Sequence, residues 1–450
     1  MKSSDLTKKY NVAAPRYTSY PTVPYWDVEN WDQGKWFSSV RQSYNESSED
    51  GISVYIHLPF CENLCTYCGC TTRITKNHAV EGPYIDAVLK EWQMYYRVLG
   101  GKPRIREIHL GGGTPTFFSP ANLQRLMDGI RSNAIILPEA EFSFEGHPTN
   151  TTPEHLKSLY DCGFRRISLG IQDFDPLVQE IINRRQTVEQ VRDVTLAARK
   201  LGYKSVNYDL IYGLPLQKLS SVENTTAEVI KLKPDRIAYY SYAHVPWLKP
   251  GQRRFTESDL PAGDEKRALY ESGRDLLLHS GYCDIGMDHF ALKNDSLLAA
   301  ARAGRLHRNF MGYTHQYTKL SIGLGVSSIS DSWYAFAQNV KTVETYLKNI
   351  AENTFPLVKG HILNQDDLVI RRIILDIMCR GQAILPPGNP QEFEFRERLE
   401  SLEQDGLVEI SSNQLRVTPA GMAFLRNICM CFDQKLWSNA PDSQIFSTAV

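Results

Sequence analysis

Strand-like and helix-like segments alternate six times in the first 250 residues, and this alternation limits the possible folds more than any other feature. Apolar segments rich in β-branched residues predict strands at 53–60, 105–116, 140–148, 165–174, 204–215 and 235–246. Several amphipathic segments between them begin at Ser or Thr and end at Gly, as capped helices do. The alternation predicts an α/β fold, with a parallel sheet covered by helices. Because eight units close a full barrel, six predict an open, partial (β/α)6 barrel.

The pattern changes beyond residue 360 to helix, helix, short hairpin and helix. We expect three regions: an N-terminal arm or lid at 1–45, the partial barrel with an extension at 46–360, and a small, mostly helical, winged-helix-like domain at 361–450. Winged-helix domains often bind DNA, but the candidate recognition segment 391–405 carries six acids and two arginines. Phosphate binding needs the opposite balance. A lid or a wall of a substrate site is therefore the favoured interpretation.

Four of the nine cysteines fall within residues 61–70. The net charge is only -1, so neither a nucleic-acid nor an anionic membrane surface is indicated. The N-terminus lacks the apolar core of a signal peptide, and no apolar run approaches the roughly 20 residues that span a bilayer. These features predict a cytoplasmic protein, whose thiols are kept reduced. Clustered cysteines then indicate metal or redox chemistry and not a disulfide framework.

The spacing of Cys61, Cys65 and Cys68 is C-x3-C-x2-C. Structural zinc usually takes four ligands in two pairs, and no second pair with suitable spacing occurs in the chain. Three thiolates on one short loop suit three corners of a [4Fe-4S] cube and leave the fourth iron open for a ligand. Two alternatives stay open at this point. They are a zinc knuckle completed by His57 or His78, and reactive thiols without a metal.

Polar residues and glycines recur where the predicted strands end, which is where the chemistry of such folds gathers. In the Gly-rich turn at 111–115, missing side chains let backbone amides approach a small polar ligand. The other candidates are Glu145, Gln172, Asp173, Asn183, Arg184, Asp209, Tyr212, Tyr242, Ala243 and His244. Any one of them has a structural explanation, such as a satisfied buried acid. Their joint placement at one rim predicts a functional site.

Motifs over essentially the whole chain resemble one enzyme family. The cysteine spacing after the first strand, followed by GGGTP after the second, resembles the radical S-adenosylmethionine (SAM) superfamily. The segments "PRYTSYPT", "YIHLPFCENLCTYCGC", "GIQDF", "DLIYGLP", "YAHVP", "GMDHFA", "LHRNFMGYT" and "RNICMCFD" are similar to those of the oxygen-independent coproporphyrinogen III oxidases within it. This resemblance implies oxidative decarboxylation of two propionates of coproporphyrinogen III to vinyl groups by a SAM-derived 5′-deoxyadenosyl radical. The product would be protoporphyrinogen IX, in haem biosynthesis.

The resemblance also implies roles for individual residues. Cys61, Cys65 and Cys68 would bind the [4Fe-4S] cluster, Cys70 would be needed for activity without being a ligand, and Arg16 would pair with a propionate. Spacing alone would equally allow Cys70 as a fourth ligand, and a surface arm is the alternative for the segment around Arg16. Two SAM molecules are implied. The first would contact Tyr55, Gly112, Glu145 and Ile329, and the second Tyr67, Gly113, Thr114, Gln172, Arg184, Asp209 and Ala243.

Partners follow from the same resemblance. They are the coproporphyrinogen III substrate, an electron donor such as flavodoxin or ferredoxin, and an unidentified electron acceptor, with the protein acting as a monomer. Two other functions stay open: a haem-binding chaperone of the same superfamily, and a different radical reaction on a tetrapyrrole. Gly146 and His147 depart from the family, in which many members have an acidic residue before the proline. Two interpretations of this change stay open: an altered local charge at the rim, or neutral drift.

Overall fold

The computed structural model describes residues 3–29, 31–386, 392–439 and 445–448. Its strands are β1 Ile52–Leu58, β2 Phe60–Cys61, β3 Arg73–Ile74, β4 Arg104–Gly112, β5 Ile135–Gly146, β6 Phe164–Gln172, β7 Ser205–Tyr212, β8 Arg236–Ser241, β9 Tyr282–Gly286, β10 His289–Leu292, β11 His307–Asn309, β12 Gly312–Thr314, β13 Ser321–Leu324, β14 Ile329–Asp331, β15 Ala335–Asn339, β16 Leu357–Ile362, β17 Gln382–Ile384, β18 Val408–Ser411 and β19 Gln414–Val417.

The α-helices occupy both the barrel and the C-terminal region. They are α1 Ser3–Tyr10, α2 Gln33–Glu46, α3 Glu81–Leu99, α4 Pro120–Ser132, α5 Pro153–Asp161, α6 Pro176–Ile181, α7 Val188–Leu201, α8 Leu219–Leu232, α9 Gly263–His279, α10 Ser296–Arg302, α11 Val343–Ala351, α12 Gln365–Arg380, α13 Glu392–Gln404, α14 Leu425–Met430 and α15 Gln434–Ser438. None of the helices in the described ranges has the length and apolarity that crossing a bilayer requires.

Six parallel strands, in the order β1-β4-β5-β6-β7-β8, form the predicted partial barrel. Helix α7 illustrates how the sequence builds one unit. The side chain of Thr187 caps its first turn by accepting from the amide of Gln190 at 3.2 Å, and Gly202, with φ 99°, ends it in the left-handed conformation that favours glycine. Its buried Val191 and Ala198 face the sheet core, so the helix covers one side of the parallel strands.

The sheet extends beyond the six predicted strands at both edges. Strand β13 pairs parallel to β1, with Ser53 opposite Ser321, and β14, β15 and β16 continue antiparallel from it. At the other edge β10 pairs antiparallel with β8, and β9 with β10. An uncovered edge strand exposes unpaired backbone groups, and these additions satisfy them. The described sheet therefore contains twelve strands around the six-stranded core.

The C-terminal region contains the predicted helices and hairpin together with one further strand. Strands β17, β19 and β18 form a small sheet whose core includes Ile374, Leu399 and Ile428. Residue 391, the first of the acidic segment, lies outside the described residues, and the remainder is mostly α13. The arm joins this core through Tyr17 and Tyr20. In contrast, α2 packs against the barrel and runs through the predicted boundary at residue 45.

Candidate active site

A cavity of about 670 Å³ opens at the carboxyl ends of the parallel strands. Most residues predicted for the site line it. They are Cys61, Cys65, Tyr67, Cys68, Cys70, Gly112, Gly113, Thr114, Glu145, Gln172, Arg184 and Asp209. Because each strand of the barrel ends at the same rim, residues separated by up to about 150 positions meet here. Tyr55, Ala243, Ile329 and Arg16 do not line this cavity.

The three motif cysteines line this one cavity on the loop that follows β1. The Sγ atom of Cys61 lies 3.3 Å from Oγ1 of Thr114, and Nη1 of Arg184 lies 3.7 Å from Sγ of Cys65. The amide of Cys68 donates to the carbonyl of Cys65 at 3.1 Å, which closes a tight turn. This turn and the contacts with Thr114 and Arg184 hold the three thiols near the carboxyl ends of the parallel strands.

No three Cys, His, Asp or Glu side chains in the described ranges gather closely enough to hold a single metal ion. A [4Fe-4S] cube has a different requirement, because each thiolate binds its own iron. The zinc alternatives are also disfavoured by contacts. His57 Nε2 lies 2.8 Å from the carbonyl of Thr71, and His78 lies 2.7 Å from Glu81 and stacks on Phe117. The donor set therefore fits a cube held by three thiols.

Cys70 lies beside the third cysteine and is exposed. Its amide donates to Sγ of Cys68 at 3.4 Å, and Nζ of Lys249 donates to its carbonyl at 3.0 Å. A hydrogen bond from the Cys70 thiol lowers the pKa of Cys68 to about 6. The same bond and the Cys68 charge raise the pKa of Cys70. The hydrogen bond between the two thiols therefore shifts their pKa values in opposite directions, down for Cys68 and up for Cys70.

The glycines of the second strand end allow close backbone packing. A Cβ on Gly113 would lie 2.5 Å from the carbonyl oxygen of Pro59, and one on Gly112 would lie 2.6 Å from the ring of His57. Gly112 also has φ 112°, which favours glycine. Missing side chains therefore let the end of β4 touch the cysteine loop, and the amide of Gly112 donates to Glu145 at 3.2 Å.

Glu145 is held as a carboxylate at the end of β5. Burial raises its pKa, but hydrogen bonding and charge from His109, together with the amide of Gly112, outweigh burial and lower the pKa overall. Nε2 of His109 lies 3.3 Å from Oε1. An anionic side chain facing the cavity suits a cationic or amino ligand.

Asp209 on β7 behaves differently in the same cavity. Burial, followed by the negative charge of Glu145, raises its pKa to about 6. Ser168 Oγ and Asn207 Nδ2 each donate to it at 2.9 Å. Nearby, Oε1 of Gln172 and Nε of Arg184 are buried with no partner among the described residues. Such unsatisfied atoms fit a site that a polar ligand completes.

His147 is a neutral part of the cavity wall. Burial, and secondarily the positive charge of Arg184, lowers its pKa to about 2. Its Nδ1 accepts from the Thr149 amide at 3.2 Å and lies 2.8 Å from Oγ1 of Thr149. It therefore stabilises the turn after β5 and adds no charge to the rim.

Four of the residues to which the family resemblance assigns a role lie outside the cavity wall. Tyr55 stacks on His109 with its hydroxyl 3.1 Å from Nδ1 of His57, and Ile329 packs with Trp26 and Phe336. Both side chains therefore make packing contacts inside the protein. The other two are Ala243, whose carbonyl accepts from Gln252 at 3.2 Å, and Arg16, which pairs with Asp288 at 3.1 Å and lies over the Tyr240 ring.

Several lining residues were missed from the sequence although a signal for them exists. Alternate positions of each barrel strand point to one face, and polar side chains recur at these positions in otherwise apolar strands. The missed residues lining the cavity are Glu107, His109, Ser143, Arg166, Ser168, Asn207, Arg236 and Tyr240. Reading the strands with period two would have identified the inward face.

Comparison with known proteins agrees with this geometry. The radical SAM superfamily matches residues 55–229. The chain is 36% identical over 446 residues to the oxygen-independent coproporphyrinogen III oxidase of Pseudomonas aeruginosa, covering 96% of both chains. It is 37% identical over 443 residues to the Escherichia coli enzyme of that name, covering 97% of this chain and 96% of the relative.

The chain belongs to the family of oxygen-independent coproporphyrinogen III oxidases. The fold agrees over the same length. The solved structure of coproporphyrinogen III oxidase from Escherichia coli, described as a radical SAM enzyme, superimposes with a TM-score of 0.87 at 35% identity, covering 94% of this chain and 98% of that one. Family membership therefore extends to the arm and the C-terminal region as well as the barrel.

Proposed function

We infer that this family member is an oxidoreductase that converts two propionate side chains of coproporphyrinogen III to vinyl groups without oxygen, giving protoporphyrinogen IX. One observation supports this above the others. The three thiols of the C-x3-C-x2-C motif face the same cavity as Glu145 and Asp209, in a chain similar over its whole length to enzymes of that name.

The cofactors of the reaction are a [4Fe-4S] cluster and SAM. Cys61, Cys65 and Cys68 would hold the cluster, which would supply the electron for reductive cleavage of SAM. The chain itself supplies binding and orientation. Glu145, held as an anion, would bind the amino group of SAM, and the partly unsatisfied guanidinium of Arg184 would bind a carboxylate.

The remaining cavity residues suit two SAM molecules. The hydrogen-bonded Asp209 and the unsatisfied Gln172 would bind ribose hydroxyls. Gly113 and Thr114 would bring backbone groups close to the ligand. We keep Tyr55 and Ile329 for the first SAM, and Tyr67 and Ala243 for the second, as proposals from the family pattern. Of these four, Tyr67 lines the cavity.

We further propose a cytoplasmic monomer that receives electrons from a flavodoxin or ferredoxin and passes electrons to a separate acceptor. All nine cysteines are free thiols, which suits a reducing compartment. We also propose that Cys70 acts on the substrate side of the reaction. Its position two residues beyond Cys68, exposed in the cavity, supports this.

Anaerobic turnover tests the proposed function. Protein reconstituted with iron and sulfide would receive SAM, a reductant, an electron acceptor and coproporphyrinogen III. We expect 5′-deoxyadenosine and protoporphyrinogen IX to form together, with loss of two carbon dioxide molecules per porphyrinogen. Tight haem binding without SAM consumption would instead identify a haem chaperone. A product that gains a methyl group would identify a different radical reaction.

A further inference from the structure

The motif "LHRNFMGYT" contains a buried arginine that the proposed roles do not use. Arg308 is 5% exposed, and its Nε and Nη1 atoms have no hydrogen-bond partner among the described residues. Its Nη2 makes one long contact, 3.5 Å to the carbonyl of Arg16. A buried guanidinium is costly unless an anion or several acceptors compensate it. In the folded chain the positive charge of Arg308 therefore has no compensating anion among the described residues.

Two neighbouring arginines differ from Arg308 because each pairs with a carboxylate. Arg16 pairs with Asp288 at 3.1 Å, and Arg236 pairs with Asp295 at 2.8 Å. In the part of the chain that the structure describes, no acidic side chain lies within ion-pair distance of Arg308. The local acids are thus committed, and any anion that neutralises Arg308 has to come from outside the fold.

The β11–β12 hairpin places Arg308 beside the cavity. Arg308 is directly opposite Tyr313 in the antiparallel register, and its guanidinium carbon lies 4.7 Å from the centre of the Tyr313 ring. Tyr313 and His289 both line the cavity, with their rings 5.2 Å apart. The hydroxyl of Tyr313 donates to the carbonyl of Met378 at 2.7 Å, so helix α12 fixes the ring against which the guanidinium rests.

The histidine at this wall does not compete for an anion. Burial, followed by the positive charges of Arg308, Arg236 and Arg16, lowers the pKa of His289 to about 3. At neutral pH it is uncharged, and its Nδ1 is buried without a partner among the described residues. Arg308 does not itself line the cavity, but it rests on the Tyr313 ring of the wall and has neutral, aromatic neighbours there.

We infer that Arg308 binds a propionate carboxylate of the substrate, as a positioning residue that sets the orientation of the macrocycle. This inference rests on the proposed function, because the proposed substrate is a tetracarboxylate. A guanidinium pairs with a carboxylate through two parallel hydrogen bonds, and two N–H groups of Arg308 are unused. The Tyr313 and His289 rings beside it would contact the apolar edge of the macrocycle.

Equilibrium binding of a non-reacting porphyrin tests the inference. Coproporphyrin III and its tetramethyl ester have the same ring, but only the acid carries carboxylates, and porphyrin fluorescence measures both affinities. We expect Arg308→Gln to weaken binding of the acid by about 10- to 100-fold, as loss of a charged hydrogen-bonded contact does, and to leave ester binding unchanged. Arg308→Lys keeps the charge but not the planar fork, so a smaller loss is expected.

The matched control is Arg305→Gln, an exposed arginine three residues earlier, which should bind both porphyrins as wild type does. Cluster absorbance and SAM affinity should be unchanged in all variants. Equal weakening of acid and ester, or no weakening of the acid, would overturn the role of Arg308. If wild type binds neither porphyrin, the proposed function fails instead. Should Arg308→Gln fail to fold, Arg308→Lys with wild-type acid affinity would also overturn the inference.

Discussion

At the scale of single residues, two carboxyl groups of one cavity have pKa values shifted in opposite directions. His109 and the Gly112 amide lower the pKa of Glu145. Asp209 has the anion of Glu145 nearby, and burial followed by that charge raises its pKa to about 6. An enzyme without its ligands therefore carries a carboxylate at Asp209 that is unfavourable when ionised. Binding hydroxyl or amino donors would relieve this cost.

Asp209→Asn should weaken SAM binding and stabilise the ligand-free protein. Because the folded pKa is raised above its unfolded value, stability from Asp209 is present at low pH and is lost as pH rises through about 6. Removing the charge should therefore stabilise the ligand-free protein at neutral pH by on the order of 1 kcal/mol and weaken SAM binding by about 10-fold. Thermal unfolding and SAM titration measure the two effects. A variant that is less stable at pH 7 than wild type would contradict this assignment.

Cys65→Ser and Cys70→Ser should separate cluster binding from turnover. Cys65 is one of the three loop thiols in the cavity, whereas Cys70 is exposed next to them. We expect Cys65→Ser to lose the broad visible absorbance of the cluster after anaerobic reconstitution. Cys70→Ser should keep that absorbance and lose turnover. Loss of the cluster in Cys70→Ser would mean that Cys70 is a ligand.

At the scale of elements, a buried acid joins helix α3 to the strands that extend the barrel. Glu91 is 0% exposed. It accepts from the Gly325 amide at 2.8 Å, from Tyr346 at 2.7 Å and from Asn339 at 2.7 Å. Burial is the largest influence and raises its pKa to about 7. The contact between helix α3 and the segments that extend the barrel therefore depends on whether Glu91 is protonated.

Glu91 should make stability depend on pH between weakly acidic and weakly alkaline conditions. Its contribution is fully present below the unfolded pKa and is lost as pH rises through about 7, a difference of about 3 kcal/mol for a fully buried carboxyl. Urea denaturation at about pH 5 and about pH 8 measures it. In Glu91→Gln this part of the pH dependence should disappear. An unchanged pH dependence in that variant would rule out Glu91 as its source.

At the scale of the whole molecule, one buried arginine ties the two ends of the chain together. The guanidinium of Arg426 donates to the carbonyl of Pro15 at 3.1 Å and to that of Thr448 at 2.7 Å. Tyr17 of the same arm donates to Asp433 at 3.0 Å. Arg16 then pairs with Asp288 and lies over the ring of Tyr240, which lines the cavity. The C-terminal region thus holds the arm beside the substrate cavity.

Arg426→Met should loosen the arm without unfolding the barrel. The Ala14 amide donates to the carbonyl of Ser447 at 3.0 Å, whereas the Asp27 amide pairs with Gly360 on the barrel extension at 2.9 Å. Hydrogen exchange of the peptide around Ala14 should quicken by about 10-fold or more, because that contact opens locally. The peptide around Asp27 is the internal control. Equal acceleration in both peptides would indicate global destabilisation.

Local patterns in the sequence determined the repeating units and the metal chemistry. Six strand–helix units, the cysteine spacing and the glycine turn can be read from neighbouring residues, because side-chain period and backbone freedom are local properties. The rim residues Glu145, Gln172 and Asp209 follow, since parallel strands end at one edge. Reading every second residue of the barrel strands would also have identified His109 and Tyr240 as cavity residues.

Only the tertiary structure decided which distant groups meet. The parallel strand β13 beside β1 begins more than 260 residues later in the chain, and nothing local specifies that pairing. The sequence around Arg16 and Arg308 does not show which of the two will have an ionic partner. In the folded chain Arg16 pairs with Asp288, 272 positions away, whereas Arg308 has no acidic side chain within ion-pair distance among the described residues. Charge compensation depends on contacts between separate elements. The arginine that is left unpaired can therefore be recognised only once the chain has folded.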